Sequence, residues 1–516
     1  MIDLTGSLRD PRIRGVSKVP FRFPAFALFA LALPQAGFAL TRQTFSFVVG
    51  VNGDFKAAMS AAAGAASSGN RFYIFFPDGQ YNIGSLTGDA NQMTTFPTSN
   101  VSFIGQSADN TVVYNQNTSE GIGVTSTLYF NGANNLYLQD LTLLNKSNYG
   151  NTSTYNTTGR HVVVMEQGNK IVYKNVKLKS TQDTYYTRGT RTYWEGGEID
   201  GTTDFICGGG DIYFNRVLLW EMKVSDITAS QSSSSWGYVF NNCTVDGTVG
   251  GTNLGRSWGA ARVVFLNTTM NKLPSAAGWG NPMDSNPLRL AEYKSTTSTG
   301  SAVDLSKRRT TYTLNGTTVT LNPVLTDAQA ATYTLANVLG GTDNWQPQNS
   351  TVQEAAPVVA RVGTTLDWND DATALCWVVF KNGKYLANVT TNSYNGSSLS
   401  KGDTITVRAA NAMGGLGASS NRLVYGTTTT IQGTGAAGLS HQYNSASKTL
   451  RIMASQPGET SVRLYALNGS PAFSHVAQLT APDHRLDISL GALKPGTYLL
   501  RYSVGEATGA GSIEVW

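Results

Sequence analysis

Ile171 to Leu178 reads IVYKNVKL, and Thr192 to Ile199 reads TYWEGGEI. Both are short β-branched and aromatic runs with a break at the fifth residue, and the same shape recurs on either side. Leu136 to Leu143 reads LYLQDLTL, Ile212 to Leu219 IYFNRVLL, Tyr238 to Val245 YVFNNCTV and Val263 to Met270 VVFLNTTM. The starts at 136, 171, 192, 212, 238 and 263 are separated by 35, 21, 20, 26 and 25 residues. Strand-like runs returning at such steps are what a solenoid requires. The fifth position holds Asp140, Asn175, Gly196, Arg216, Asn242 and Asn267. Small and amide residues at one coil position suit a recurring turn, because Asn and Gly accept left-handed backbone geometry. The spacing predicts a parallel β-helix. A propeller with two coils per blade is the competing architecture, but no periodic WD or kelch-type signature accompanies the runs.

The rest of the composition agrees with an all-β chain. Of 516 residues, 41% are hydrophobic and 14% charged, with 54 Gly, 23 Tyr, 20 Phe and 9 Trp. That is too apolar for disorder and too poor in periodic Leu and Ala for a helical bundle. A net charge of +5 excludes a strongly basic nucleic-acid stripe and suits an acidic substrate. Three cysteines, Cys207, Cys243 and Cys376, form neither a disulfide framework nor a zinc pattern. Cys207 and Cys243 are expected to be buried as small apolar residues rather than paired. His161 is the one imidazole within the first 350 residues, with no G-x-S-x-G near it, so carboxylates are the better candidates for hydrolytic chemistry.

At the start, Arg9, Arg12, Arg14, Lys18 and Arg22 precede an apolar run from Phe23 to Leu33, then Gly37-Phe38-Ala39. This reads as a secretory signal peptide over 1–39, too short in its apolar part to span a bilayer. A secreted protein without a transmembrane anchor is expected.

Asp183 stands in TQDTYY (181–186) and Asp204 in GTTDFI (201–206). They are 21 residues apart, equal to the local coil step, and each lies 12 residues after the start of its run. In a stacked coil they should share one corner of adjacent rungs, about 4.8 Å apart in backbone spacing. Two carboxylates that close cannot both ionise cheaply, which would leave one acid and one anion. Spacing alone leaves open a pair of solvated turn aspartates. Arg256, in NLGRSW (253–258), lies 52 residues beyond Asp204, about two further coils. It could fork a carboxylate, and Trp258 could offer a flat face to a sugar; singly, either could equally be a surface or packing residue.

Together these segments resemble the pectin methylesterase family, from about Phe47 to Trp345. Gln182, Asp183, Thr184 and Tyr186 match its Q-D-T-x-Y segment. Asp204, Phe205, Ile206 and Gly208 match D-F-I-F-G, with Cys207 replacing the second Phe. Leu254, Gly255, Arg256 and Trp258 match L-G-R-P-W, with Ser257 replacing Pro. Gly79-Gln80-Tyr81 and Ala277-Gly278-Trp279 match its G-x-Y and A-G-W. The resemblance implies a right-handed parallel β-helix over 40–350, no metal or other cofactor, and methyl-esterified homogalacturonan as substrate, giving pectate and methanol. It implies Asp204 as nucleophile, Asp183 as acid and then base, Arg256 as orienting cation and Gln182 as an oxyanion donor. Tyr186, Trp236 and Trp258 would be sugar platforms, with Arg160 and Gln231 also at the substrate. Arg160 departs from the pattern: in Arg160-His161-Val162-Val163-Val164 it stands where the family carries the first Gln of Q-A-V-A-L. It could still donate to an oxyanion, or it could pair with a nearby Asp. Ile227-Thr228-Ala229-Ser230 likewise puts Gln231 one position after the Gln of I-T-A-Q. A weakly active or non-catalytic polysaccharide-binding surface protein, and a lyase or polygalacturonase, are the competing readings.

Beyond the β-helix, 355–426 holds alternating runs and the hairpin signal Lys381-Asn382-Gly383-Lys384. It resembles a fibronectin type III domain. A polar linker is expected over 427–438. The segment 439–516 resembles a type IX-like secretion-sorting domain, with carbohydrate or cell-surface attachment as the alternative. A monomer is expected.

Overall fold

The computed structural model describes residues 40–150, 159–231, 234–362, 364–426, 439–444, 447–480 and 485–515. The expected signal peptide and the 427–438 linker lie outside the described residues. Three parallel sheets carry the first three fifths of the chain. The first has ten strands, running in chain order from Phe47–Val48 through Ile171–Lys174, Arg191–Glu195 and Asp211–Asn215 to Arg289–Tyr293. The second has seven, from Thr94–Phe96 to Asn253–Ser257, and the third nine, from Gly79–Asn82 to Thr296–Thr297. Successive visits of the chain to one sheet are neighbours in it, as in Ile171↔Thr192 and Thr192↔Ile212. This is a parallel β-helix, as the repeat predicts.

Each eight-residue run is two strands, not one. The chain leaves the first sheet after Lys174, bends at Asn175 and enters the third at Lys177–Lys179. The fifth-position residues Asp140, Asn175, Gly196, Arg216, Asn242 and Asn267 make this bend with φ of 54, 50, 65, 59, 53 and 51°. Left-handed geometry costs most side chains energy, which is why Asn, Asp and Gly dominate the position. Arg216 is the exception, and its guanidinium is ion-paired to Glu195 one rung away. The interval of 35 residues from 136 to 171 is still one coil, because Tyr137 pairs with Val172.

The interior is built from residues two positions after each run begins. Tyr173, Trp194, Phe214, Phe240 and Phe265 stack in sequence, with centroid spacings of 4.2, 6.1, 4.4 and 4.4 Å. Each offset ring pair adds about 1 kcal/mol to what burial supplies. At the open end of the coil, helix Phe55–Ala65 buries Phe55, Ala58 and Ala62, and Asp54 caps it by accepting from the Ala57 amide at 2.9 Å. The cap matters because the first amides of a helix have no internal partner.

Close approach of rungs fixes one glycine of the D-F-I-F-G resemblance. Gly208 has φ +94°, and a Cβ there would lie 1.9 Å from the Thr187 carbonyl of the preceding rung. Gly208→Ala should therefore destabilise the coil by about 2–4 kcal/mol, read as a lowered urea midpoint with unchanged m-value.

The outer face of the first sheet is covered by the 325–345 segment and by part of the antiparallel unit that follows it. Helix Leu335–Leu339 buries Val338 and Leu339 in the same cluster as Tyr193, Tyr213, Val239 and Val264. Next comes an antiparallel unit. Its five-stranded sheet contains Cys376–Lys381, Lys384–Val389 and Thr404–Ala410, and a three-stranded sheet lies beside it in sequence. Asn382 and Gly383 form the hairpin turn with φ of 52 and 78°. Leu375, Cys376, Val378, Phe380, Ala410 and Leu416 pack with Phe75, Ile104 and Tyr137 of the coil, and Arg408 Nη1 donates to the Gln106 carbonyl at 2.7 Å. The last residues form two further antiparallel sheets around their own apolar core, including Leu450, Val462, Leu464 and Leu500. Among the described residues no helix is long and apolar enough to cross a membrane.

Candidate active site

The corner leading into the second sheet gathers the carboxylates. Tyr185–Thr187 and Ile206–Gly208 pair in register, Tyr185↔Ile206 and Tyr186↔Cys207. Asp183 and Asp204, each two residues before those partners, therefore occupy equivalent sites on adjacent rungs. Both have left-handed backbone, φ 59 and 49°, which turns the side chains out of the strand direction. Their amides are tied to the next rung: Asp183 N–H donates to the Thr203 carbonyl at 3.2 Å, and Asp204 N–H to the Asp226 carbonyl at 2.7 Å. Relative exposures of 4 and 5% place both carboxyls where burial has electrostatic weight.

Arg256 comes from Asn253–Ser257, two rungs past Asp204, at the coil position of Cys207 and Ala229. Its Nε donates to Asp204 Oδ1 at 3.2 Å and its Nη2 to Oδ2 at 2.8 Å. The Nη1 arm holds Asp284. A bidentate, charge-assisted fork of this kind fixes the carboxylate plane. Among the described residues Asp183 has no such cationic fork. Burial first, and the neighbouring Asp204 second, push its carboxyl up to about 7, against the opposing pull of Arg160, Arg256 and the nearby Cys207 thiol. Burial holds that thiol protonated, far above its ordinary range. The site thus has two carboxyls of like type and unlike surroundings: Asp204 is forked by Arg256, and Asp183 is raised by burial and by Asp204.

A third carboxyl continues the corner. Ile206 pairs with Thr228, so Asp226 occupies the next equivalent rung beyond Asp204. Burial, then Asp204, raises it to about 6, and Asn253 Nδ2 donates to it at 3.1 Å. Its interval of 22 from Asp204 was the readable signal, one residue off the local step.

Gln182 is half-buried beside Asp183, and Arg160 pairs with it from the rung before. Arg160 does not pair with an aspartate. Its Nε and Nη2 fork Glu120 at 2.9 and 2.7 Å, and its amide donates to the same carboxylate at 3.1 Å. Tyr186 is buried and Trp258 37% exposed, with ring centroids 6.3 Å apart at 46°. Gln231 is exposed and lies close enough to Tyr186 to lower its basicity slightly, so these three share one neighbourhood. Trp236 does not join them. It packs edge-to-face on Tyr333, centroids 5.5 Å apart, in the cluster on the outer face of the first sheet. The reason is the 326–345 segment, which supplies Tyr333 and Leu335 as apolar cover there.

His161 is buried with Nδ1 3.2 Å from Asn117 Nδ2, and burial lowers its basicity. All three cysteines are buried free thiols. Cys207 lies in a small apolar cluster with Val162, Met165, Tyr186 and Ala229 beneath the carboxylates.

The pectinesterase family pattern matches residues 48–342. Pectinesterase A of Emericella nidulans is 26% identical over 299 residues, covering 54% of this chain and 87% of its own. Putative pectinesterase 11 of Arabidopsis thaliana is 29% identical over 210 residues, covering 39% of this chain and 56% of its own. The chain spans little more than half the length of some of these curated relatives, 57% for Pectinesterase 2 of Citrus sinensis. Among solved structures, the pectin methylesterase of Erwinia chrysanthemi is 24% identical with a TM-score of 0.46, covering 59% of this chain and 99% of its own.

Proposed function

The chain belongs to the pectinesterase family, and we propose that it hydrolyses methyl esters of galacturonan to pectate and methanol. The carrying observation is the asymmetric pair: Asp204 forked by Arg256, and Asp183 one rung away with its carboxyl near 7. In this reading the Asp204 carboxylate attacks the ester carbonyl. Gln182 and Arg160 donate to the oxyanion that forms. Asp183 gives its proton to the departing methoxide, so methanol leaves and an acyl-aspartate remains. Asp183, now anionic, takes a proton from water, and the hydroxide adds to the acyl carbonyl. Collapse releases the galacturonate acid and restores Asp204. Trp258 is the exposed ring beside this centre and is assigned to the sugar face, with Tyr186 behind it.

Arg256 has a specific part in this scheme: it keeps the nucleophile anionic and aimed. Arg256→Gln keeps one donor and loses the charge. It should lower kcat about 100-fold with little change in KM, measured by methanol release.

The two antiparallel units fit accessory roles, a spacer and an attachment or sorting module for an exported enzyme. The deciding experiment is methanol release from esterified pectin by the purified protein. No methanol, or unsaturated ultraviolet-absorbing ends instead of it, would overturn the esterase reading.

A further inference from the structure

Arg160 borders the catalytic corner through its bridge to Gln182, and Glu120 reaches it from outside the segments of that corner. Glu120 is 40 residues before Arg160, and the residues next to it are bonded to the Arg160 backbone. Gly121 N–H donates to the Arg160 carbonyl at 3.0 Å, and the Thr125 hydroxyl donates to the Gly121 carbonyl at 2.7 Å with the Arg160 carbonyl also within reach at 3.1 Å. Ile122, in the same loop, packs on the cluster containing Cys207 and Tyr186. With the side-chain fork, this fixes Arg160 at both its backbone and its guanidinium. Nη1 has no protein partner among the described residues, and the strand bridge to Gln182 sets Arg160 one rung from the acid. The pair is about half exposed, 44 and 46% at the side chains. A lone pair so exposed adds at most about 1 kcal/mol to stability, too little to make fold maintenance its main use.

We propose that Glu120 is a positioning residue for the reaction: it clamps the Arg160 guanidinium beside Gln182 and offsets its charge, leaving Nη1 as a donor to the reacting ester. The proposal rests on the esterase reading above. Its chemical point is balance. A bare guanidinium one rung from Asp183 would favour the Asp183 anion and so remove the proton the leaving group needs. A paired guanidinium keeps the donor while muting that field. Arg160 already pulls Asp183 towards ionisation in the presence of Glu120, so removal of the compensating carboxylate should increase the pull.

The test uses the full chain and Glu120→Gln, which keeps size and loses charge. The Asp183 carboxyl is titrated by carbon NMR without substrate, its resonance assigned by its loss in Asp183→Asn, and methanol release is followed across pH. In Glu120→Gln the Asp183 midpoint should fall by about half a pH unit or more, and the alkaline limb of kcat should move down with it. In an Arg160→Gln background the same Glu120 change should move the midpoint less than half as far. An Asp183 midpoint unmoved by Glu120→Gln, in a protein that does release methanol, overturns the positioning role and leaves the esterase reading intact. A parent protein that releases no methanol overturns both.

Discussion

Asp204→Ala should abolish methanol release, with kcat reduced by about 10⁴-fold or more. The size follows from the role. If Asp204 forms the covalent bond, its removal leaves only binding and oxyanion contacts, and water must attack unaided. The change should leave the fold in place, because the truncated side chain is at a corner outside the aromatic stack and Arg256 retains Asp284 as an anionic partner. The guanidinium is thus not stranded without a counter-charge, the circumstance that makes loss of one ion-pair partner so damaging in buried sites. Pectin binding by the variant should stay within a few-fold of the parent. Methanol release and binding measured on the same preparation separate the outcomes. Retained turnover would end the nucleophile assignment, and loss of both turnover and the cooperative unfolding transition would assign Asp204 a structural role instead.

The coil and its carboxylate corner were legible for one shared reason: in a β-helix, equal chain intervals become lateral contacts. The step of 21 that relates IVYKNVKL to TYWEGGEI also relates Asp183 to Asp204, and the structure seats both at φ near +50 to +60° on adjacent rungs. Asn175, Asn242 and Asn267 were readable as turns because their side chains tolerate that geometry. Other features depend on segments with no periodic relation to the corner. Glu120 lies on a loop that returns to Arg160 through backbone bonds, so no spacing announces it. Asp284 reaches Arg256 from an irregular stretch after the last strand of the second sheet. Trp236 was expected as a sugar platform from the family resemblance, but its surroundings are set by Tyr333, nearly a hundred residues later. An aromatic residue next to a strand start is equally suited to packing and to stacking on a sugar, and only the tertiary neighbour decides.

Asp183→Asn should reduce kcat about 10²- to 10⁴-fold and should also change the pH profile, which makes it the sharper test of the divided roles. The amide preserves shape but has no acidic proton to give methoxide and cannot serve as the base for water. In the parent, the carboxyl titrates near 7 because burial and Asp204 outweigh Arg160, Arg256 and the Cys207 thiol. The sign follows directly. Below that value Asp183 is protonated and competent as the acid; above it the protonated fraction falls tenfold per pH unit, and so should a rate limited by methanol departure. The alkaline limb of kcat should therefore centre near 7 in the parent and vanish from the residual rate of Asp183→Asn. It should persist in Trp258→Ala, where the ring assigned to the sugar is lost but both carboxyls and the Arg256 fork are untouched. A parent profile flat between pH 6 and 9 would sink the assignment of Asp183 as the acid. If the limb instead survived in Asp183→Asn, the titrating group would have to be sought one rung further on, at Asp226, whose carboxyl is also raised, to about 6, by burial and by Asp204.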